Sequence, residues 1–296
     1  MFAGFKAGLF TVLGSFSKGV PGSASINFGL SGGRNCETSC RHHPEHPNAI
    51  ANPSDGCYAA ILEKRHDRKE LLGKLGRHDR LPASAIVDRA AHELEREILY
   101  GKAPRPWIRF STSGSLPSRR KALADSRFST KFRKLMEFLV ATSGADRIHL
   151  PLETARKARF YRELVGDIVT VRESLQTENM CAGTIAGHHI PEGAVSFTAG
   201  ELIPAGPGRR LKVLAAADAA AAAWSKLTGR KTIVCPAVRV SFLSRLKAYQ
   251  RGRSQSQIES WRAGAKCGNC RACALRHVDV VYPAHGGAPL PIVQLS

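Results

Sequence analysis

The most constraining feature of the sequence is an alternation of short strand-type runs with helix-type runs. The strand candidates are rich in β-branched and aromatic residues and end in small or polar residues. Alternation of this kind predicts parallel strands joined by right-handed crossovers. The strand candidates are SINFGLSGG (25–33), WIRFSTSGS (107–115), RIHLPLET (147–154), DIVTVRESLQT (167–177), AVSFTAG (194–200), RLKVLAAAD (210–218), KTIVCPAV (231–238) and VDVVYPAH (278–285).

Helical periodicity is clearest in two of the intervening segments. In 84–100, Ala90, Leu94 and Ile98 fall on one stripe at four-residue steps, and the pattern in 131–144 ends on a glycine. The Ala-rich run that follows the sixth strand candidate predicts a further helix.

About eight strands in about 250 residues suit an α/β fold of (β/α) barrel type. The intervals between the fourth, fifth and sixth strand candidates are too short for full helices, so we expect a partial or irregular barrel, with an open doubly wound sheet as the alternative. We predict an N-terminal extension over 1–24 and a single barrel-like domain over 25–296, with a cysteine cluster at 235–285.

The C-terminal part of the chain carries a C-x2-C-x2-C motif formed by Cys267, Cys270 and Cys273. Cysteines this close together do not readily bridge one another, because a disulfide needs a defined Cα separation and Cβ direction. Cys235, at the end of a strand candidate, supplies a fourth thiol. Four thiolates suit either a structural zinc or an iron–sulfur cluster, with His277 and His285 as reserve ligands.

A second set, Cys36, Cys40 and Cys57, follows the first strand candidate. In a barrel this loop lies at the C-terminal rim, where active sites are built. Three cysteines can bind three irons of a [4Fe–4S] cluster and leave the fourth iron open to a ligand. A three-cysteine zinc site completed by a histidine of the same loop is the alternative, with candidates His42, His43 and His46.

The chain is strongly basic, with 44 Lys and Arg against 24 Asp and Glu and a formal net charge of +20. Such a charge makes nucleic acid the expected partner. The run 243–266 is especially basic, although a solvated helix face would also explain it, and aromatic residues for base stacking amount to 7% of the chain and are scattered.

The sequence also indicates the compartment in which the protein is expected. The first 20 residues lack the charged n-region of an export signal, and no run approaches the length of a membrane span. Eight cysteines in short motifs then favour metal ligation in a reducing cytoplasm over a disulfide framework. We expect a cytoplasmic protein with no membrane partner.

The triplet Cys57-Tyr58-Ala59, the loop Ser113-Gly114-Ser115 and the terminal motif leading into DVVYPAH together resemble the phage-associated gene product 88 family. The resemblance touches most of the chain, and its specificity lies in the two cysteine groups and the closing strand. It implies an origin in a phage, a prophage or a plasmid.

A more distant resemblance is to the radical S-adenosylmethionine enzymes, which carry three cysteines after the first strand of a partial barrel and a glycine-rich loop after the second. It implies one or two [4Fe–4S] clusters, S-adenosylmethionine as a cofactor, and cofactor contacts from Tyr58, Ser113, Gly114 and Ser115. The chain departs from the common C-x3-C-x2-C spacing by inserting 16 residues before Cys57, and it has Ser-Gly-Ser where Gly-Gly-Glu is usual.

Two carboxylates near strand ends, Glu153 and Glu173, are the candidate catalytic residues. In a radical enzyme they would position the substrate. In a zinc-containing, base-exchanging transglycosylase-like enzyme, the second hypothesis, one of them would be the nucleophile. The third hypothesis is a non-enzymatic nucleic-acid-binding protein stabilised by zinc.

Overall fold

The computed structural model describes residues 10–13, 25–28, 47, 81–100, 105–110, 116–152, 154–175, 190–199, 208–244 and 246–283. The chain divides into two units, one up to Glu173 and one from Ser174 onward. This boundary lies inside 25–296, the range predicted as one domain.

The first unit contains a sheet in which four parallel strands follow one antiparallel edge strand. In spatial order these strands are β1 (Phe10–Leu13), β2 (Ser25–Phe28), β3 (Trp107–Arg109), β4 (Ile148–Leu152) and β5 (Val171–Ser174), with β1 antiparallel to β2. β1 falls within the range predicted as an N-terminal extension. The helices of the first unit are α1 (Ala83–Tyr100), α2 (Arg119–Leu123), α3 (Phe128–Ser143) and α4 (Ala155–Val165), with a short 3-10 turn at Ala145–Arg147.

One face of this sheet and the helices share an apolar core. The predicted stripe of α1 is confirmed, because Ala90 and Leu94 are buried and Ile98 packs against the core. α3 begins three residues before the predicted start and ends at Gly144, whose φ of 92° favours glycine. A Cβ at Gly144 would also come within 2.8 Å of Asp146 Oδ1.

Aromatic rings hold α3 and α4 together. Phe128 and Phe132 stack with centroids 5.5 Å apart, and Tyr161 meets Phe132 edge-on at 5.1 Å. The Tyr161 hydroxyl donates a hydrogen bond to the carbonyl of Pro117 at 2.9 Å, so the buried phenol keeps a partner. Burial of each such side chain stabilises the fold by about 1.5–3 kcal/mol.

The second unit contains three parallel strands with the last strand of the chain in the middle. β8 (Val278–Pro283) pairs with β6 (Val195–Ala199) on one side and with β7 (Lys231–Val234) on the other. The helices of this unit are α5 (Arg209–Thr228), α6 (Pro236–Leu243), α7 (Lys247–Gln250), α8 (Gln255–Gly264) and α9 (Cys267–Cys270), and a 3-10 turn covers Ala272–Ala274.

The predicted strand at 210–218 is wrong, because this segment forms the first half of α5. The buried residues of α5 recur at helical spacing and end at Trp224. Alanine favours the helix strongly, and Gly208 and Gly229, both in the left-handed region, bound it. A short apolar run alone does not distinguish a strand from a buried helix.

A strand lies within each of the other strand candidates. The strand predicted at 231–238 stops at Val234, because Pro236 occupies the first turn of α6. The α/β class is therefore confirmed in both units. Among the described helices, none is long and apolar enough to cross a membrane.

Candidate metal centre

Part of the predicted site lies outside the described residues. This holds for the three cysteines of the rim loop, the cofactor-binding residues and one of the two catalytic carboxylates, namely Cys36, Cys40, Cys57, Tyr58, Ser113, Gly114, Ser115 and Glu153. Their roles stay predictions. The structure does describe Glu173 and the C-terminal cysteine group, a name used below for Cys235, Cys267, Cys270 and Cys273.

The C-terminal cysteine group lies on three features of the second unit. Cys235 directly follows β7 and is the N-cap of α6, and its amide donates to the carbonyl of Val281 in β8 at 2.7 Å. Cys267 and Cys270 are the first and last residues of α9. Cys273 lies in the 3-10 turn that follows.

The two faces of β8 have different partners. Val278, Val280 and Tyr282 share one face by strand alternation, and they pack with Cys235, Cys270 and Cys273 in one apolar cluster. The Sγ of Cys273 lies 3.2 Å from the hydroxyl oxygen of Tyr282. The cysteine-bearing segment therefore packs against β8, near the end of β7.

Backbone amides affect two of the thiols. The amides of Val238 and Ala237, in the first turn of α6, lower the pKa of the Cys235 thiol against the larger effect of burial. The amide of Ala272 does the same for Cys270. Amide donors near a sulfur favour the thiolate, which is the form that ligates a metal.

Arg271, the residue that follows α9, has a left-handed backbone. Its φ is 52°, and it is the only non-glycine residue with positive φ in the described part of the chain. Its amide donates to the carbonyl of Cys267 at 2.9 Å, and its Nε donates to the carbonyl of Gly268 at 3.1 Å. A left-handed non-glycine residue costs about 1–2 kcal/mol and persists only where its surroundings hold it.

The four thiols differ in exposure. Cys235 is buried, Cys267 is exposed, and the other two are partly buried. Burial, and after it the neighbouring sulfur of Cys273, raises the pKa of Cys235 to about 12. Burial likewise raises the pKa of Cys270, with Cys273 again contributing. Cys235, Cys270 and Cys273 also pack in one cluster, so these three thiols are neighbours.

The thiols are nevertheless not gathered around a common point. None of the four forms a disulfide, and among the described residues no group of three or more His, Cys, Asp or Glu side chains is close enough to hold a metal ion as placed. His277, a reserve ligand, is exposed. The donor chemistry fits a thiophilic metal, and a bound metal would have to draw the sulfurs closer together.

The opposite face of β8 is anchored by a buried carboxylate that the sequence did not single out. Asp279, 1% exposed, accepts hydrogen bonds from Val195 N at 2.8 Å and from Trp224 Nε1 at 2.7 Å. Its Oδ2 also lies 2.9 Å from Arg230 Nε. Arg230 in turn donates to two carbonyls in the segment before β6. This network fixes β8, which is the strand that the cysteine-bearing segment packs against.

In the first unit, the face of the sheet opposite the helices is polar. Arg109 and His149 are paired in register on β3 and β4, and alternation places Arg172 of β5 on the same face. Burial lowers the pKa of His149 well below its usual 6.5, with further contributions from the two guanidinium groups. His149 is therefore a neutral imidazole, and its buried Nε2 has no hydrogen-bond partner among the described residues.

Two polar residues near strand ends, Glu173 and Thr154, do not belong to this polar face. Glu173 pairs in register with Leu152, a core residue, so alternation places it on the face opposite Arg172. Thr154 is the N-cap of α4 and accepts a hydrogen bond from Lys157 N at 3.2 Å. The structure thus assigns Thr154 a capping role and does not bring Glu173 to the polar face.

Comparison with known proteins gave no match: no family model, no curated protein and no solved structure is similar to this chain at a significant level. The two resemblances drawn from the cysteine motifs stay predictions.

Proposed function

We propose that this protein is an iron–sulfur metalloprotein in which the C-terminal cysteine group ligates a cluster. The observation that carries the proposal is the packing of Cys235, Cys270 and Cys273 in one apolar cluster against β8. Three of the four thiols of a possible ligand set are thus neighbours. Buried apolar neighbours on β8 would shield the cluster from solvent.

The choice of iron–sulfur over zinc rests on the second cysteine group. Four thiolates alone suit either occupant. The rim cysteines, Cys36, Cys40 and Cys57, add a set of three, which is the number that leaves one iron of a [4Fe–4S] cluster open. The proposal therefore includes two clusters, an open one at the rim and a closed, auxiliary one at the C-terminal group.

The proposed activity is of the radical S-adenosylmethionine type, on a barrel-like (β/α) scaffold. The open cluster, when bound, would supply one-electron chemistry to that cofactor. The contribution of the chain would be to bind the cofactor through Tyr58 and residues 113–115, and to position the substrate through Glu153. The face on which Glu173 lies makes it the weaker candidate for contact with substrate.

The zinc-based alternatives remain outcomes of the test. A base-exchanging enzyme would need a nucleophilic carboxylate, for which Glu153 is the better candidate because Glu173 shares the core face of Leu152. A non-enzymatic zinc-stabilised protein would need neither carboxylate. The proposal also keeps an origin in a phage, prophage or plasmid. It keeps a cytoplasmic location too, because cysteines grouped in short motifs favour metal ligation over a disulfide framework.

The test is anaerobic purification followed by quantification of iron, acid-labile sulfide and zinc, together with an absorption spectrum. The wild type is compared with two double variants, Cys36→Ala with Cys40→Ala, and Cys267→Ala with Cys270→Ala. Cys181→Ala, which removes a cysteine outside both groups, is the matched control. The proposal predicts the loss of about four irons in each double variant and no loss in the control.

Two results would overturn the proposal. Zinc without any iron chromophore under strict anaerobiosis would replace it with one of the zinc-based alternatives. Equal metal content in the wild type and in the Cys267→Ala, Cys270→Ala variant would show that the C-terminal cysteine group holds no metal.

A further inference from the structure

Two aromatic rings of the basic run come together in the second unit. Tyr249 of α7 and Trp261 of α8 are 12 positions apart, and their ring centroids are 5.1 Å apart at an interplanar angle of 40°. The chain reverses between the two helices through Gly252, whose φ is 77°. Both rings are partly exposed. They form a small aromatic surface rather than part of the buried core.

The turn that joins the helices adds a cation to this surface. The guanidinium carbon of Arg253 lies 3.8 Å from the centroid of the Tyr249 ring. The start of α8 directly after it is held by a capping box, in which Ser254 N donates to Gln257 Oε1 at 2.9 Å and Gln257 N donates to Ser254 Oγ at 3.3 Å. The amide of Arg253 itself donates to the carbonyl of Gln250 at 3.2 Å.

The surroundings of the two rings are strongly positive. Residues 247–266 contain five basic residues and one acidic residue, Glu259, which accepts a hydrogen bond from Gln255. No described acidic side chain forms a salt bridge with any of the five, which are Lys247, Arg251, Arg253, Arg262 and Lys266. Four of them are exposed, and Lys266 is partly buried. The positive charge of this surface is therefore available to an anionic partner.

We infer that this surface, Tyr249, Trp261 and the five surrounding cations, binds single-stranded nucleic acid. Aromatic rings offer stacking platforms to unpaired bases, while lysine and arginine contact the phosphates. A duplex keeps its bases stacked inside and would use only the cations. An acidic protein would likewise use the charge without the rings, so the combination favours a single strand.

The inference goes beyond the metal proposal and does not depend on which metal is bound. α8 lies against α9, the helix that contains Cys267 and Cys270. The binding surface and the C-terminal cysteine group are thus neighbours in the same unit. The experiment uses the full chain as purified, with the bound metal intact, so that failure of the metal proposal and failure of this inference remain distinguishable.

Tryptophan fluorescence gives a specific readout of stacking. The chain has three tryptophans, and Trp107 and Trp224 are 4% and 1% exposed. Trp261 is the one that a base can reach. Titration with an unlabelled oligothymidylate of about 20 nucleotides should quench the emission of the wild type, and this quenching should be lost in Trp261→Phe.

Fluorescence anisotropy with the same oligonucleotide, labelled, measures affinity. Tyr249→Ala and Trp261→Ala should each weaken binding by about tenfold, since stacking of one base is worth about that factor or more. Trp261→Phe, which keeps an aromatic face, should retain most of the affinity. Circular dichroism of each variant confirms that the helices remain.

A charge-matched pair separates a local surface from general attraction to a basic protein. Arg251→Glu with Arg253→Glu should weaken binding by at least about tenfold and reduce its salt dependence. Arg156→Glu with Arg159→Glu, two exposed arginines of α4, makes the same change in net charge and should have a much smaller effect.

Three results would overturn the inference. The first is equal weakening by the two charge-reversal pairs, and the second is an absence of tryptophan quenching in the wild type. The third is binding of heparin or of a duplex of equal length as tightly as the single strand, which would indicate attraction to any polyanion.

Discussion

The Sγ of Cys273 lies 3.2 Å from the hydroxyl oxygen of Tyr282, nine residues further along the chain. The contact joins the cysteine-bearing turn to the end of β8. A hydroxyl at this distance from a ligand sulfur would hydrogen-bond to it and hold its orientation.

We therefore expect Tyr282→Phe, which keeps the ring and removes the hydroxyl, to weaken metal retention. Loss of such an outer hydrogen bond typically lowers metal affinity by about 10–100-fold. Competition with a chelator, monitored by absorbance, measures the change. Tyr161→Phe is the control. It removes a hydroxyl that hydrogen-bonds to the Pro117 carbonyl within the first unit, and it should leave metal retention unchanged. Equal retention in Tyr282→Phe and wild type would contradict the assignment of Cys273 as a ligand.

The left-handed backbone of Arg271 gives a second prediction. Arg271→Val places a β-branched residue at φ 52°. β-branching adds to the strain that arginine already bears, so we expect the free energy of unfolding to fall by about 1 kcal/mol, with weaker metal retention. Arg271→Gly accepts this backbone without strain and should retain metal as the wild type does. Urea unfolding and chelator competition on the two variants check the prediction, and metal loss in Arg271→Gly equal to that in Arg271→Val would argue against a role for the turn.

The buried carboxylate of Asp279 gives a third prediction. Asp279→Ala removes three interactions and leaves Trp224 Nε1 and Val195 N without their partner. We therefore expect the free energy of unfolding, measured in urea, to fall by about 3 kcal/mol. Asp218→Ala, which breaks an exposed ion pair with Arg239, should cost less than about 1 kcal/mol. Similar losses in the two variants would mean that the network does not hold β8.

The neutral state of His149 predicts a dependence of stability on pH. Its folded pKa is below that of the unfolded chain, so the unfolded state binds a proton first as the pH falls. The contribution of this group is complete above about pH 6.5 and is lost as the pH falls from there towards the folded pKa, by at most about 1.4 kcal/mol per pH unit.

The measurement is urea unfolding between about pH 7 and pH 5, with His149→Gln as the variant without a titrating group at this position. The difference between the two pH profiles isolates His149 from the other histidines. We expect the variant to lose less stability than the wild type over this range. Parallel profiles would show that His149 does not titrate with a lowered pKa.

The features of the fold that depend on local sequence could be predicted. The stripe of α1, the glycine stop of α3 and the position of most strands follow from periodicity and from single breaking residues. The wrong prediction at 210–218 shows the limit of periodicity. The apolar residues at the start of α5 fit the pattern of a strand as well as that of a helix, and only the alanines that follow favour the helix.

The contacts that join distant residues could not be predicted. Asp279 and Trp224 are 55 residues apart, and nothing in the spacing of either marks them as partners. Tyr249 and Trp261 looked scattered in the sequence, and only the reversal at Gly252 brings their rings together. The spacing of Cys267, Cys270 and Cys273 marks them as one group, whereas the packing of Cys235 with Cys270 and Cys273 depends on the pairing of β7 with β8.

The most direct test of the account is X-ray absorption at the iron and zinc edges of the anaerobically purified Cys36→Ala, Cys40→Ala variant, in which the C-terminal cysteine group is the one predicted ligand set left complete. The account predicts bound iron with a shell of about four sulfurs at about 2.3 Å, and iron neighbours at the longer distance of a cluster. A variant that holds no metal, or a metal shell of nitrogen and oxygen, would contradict it.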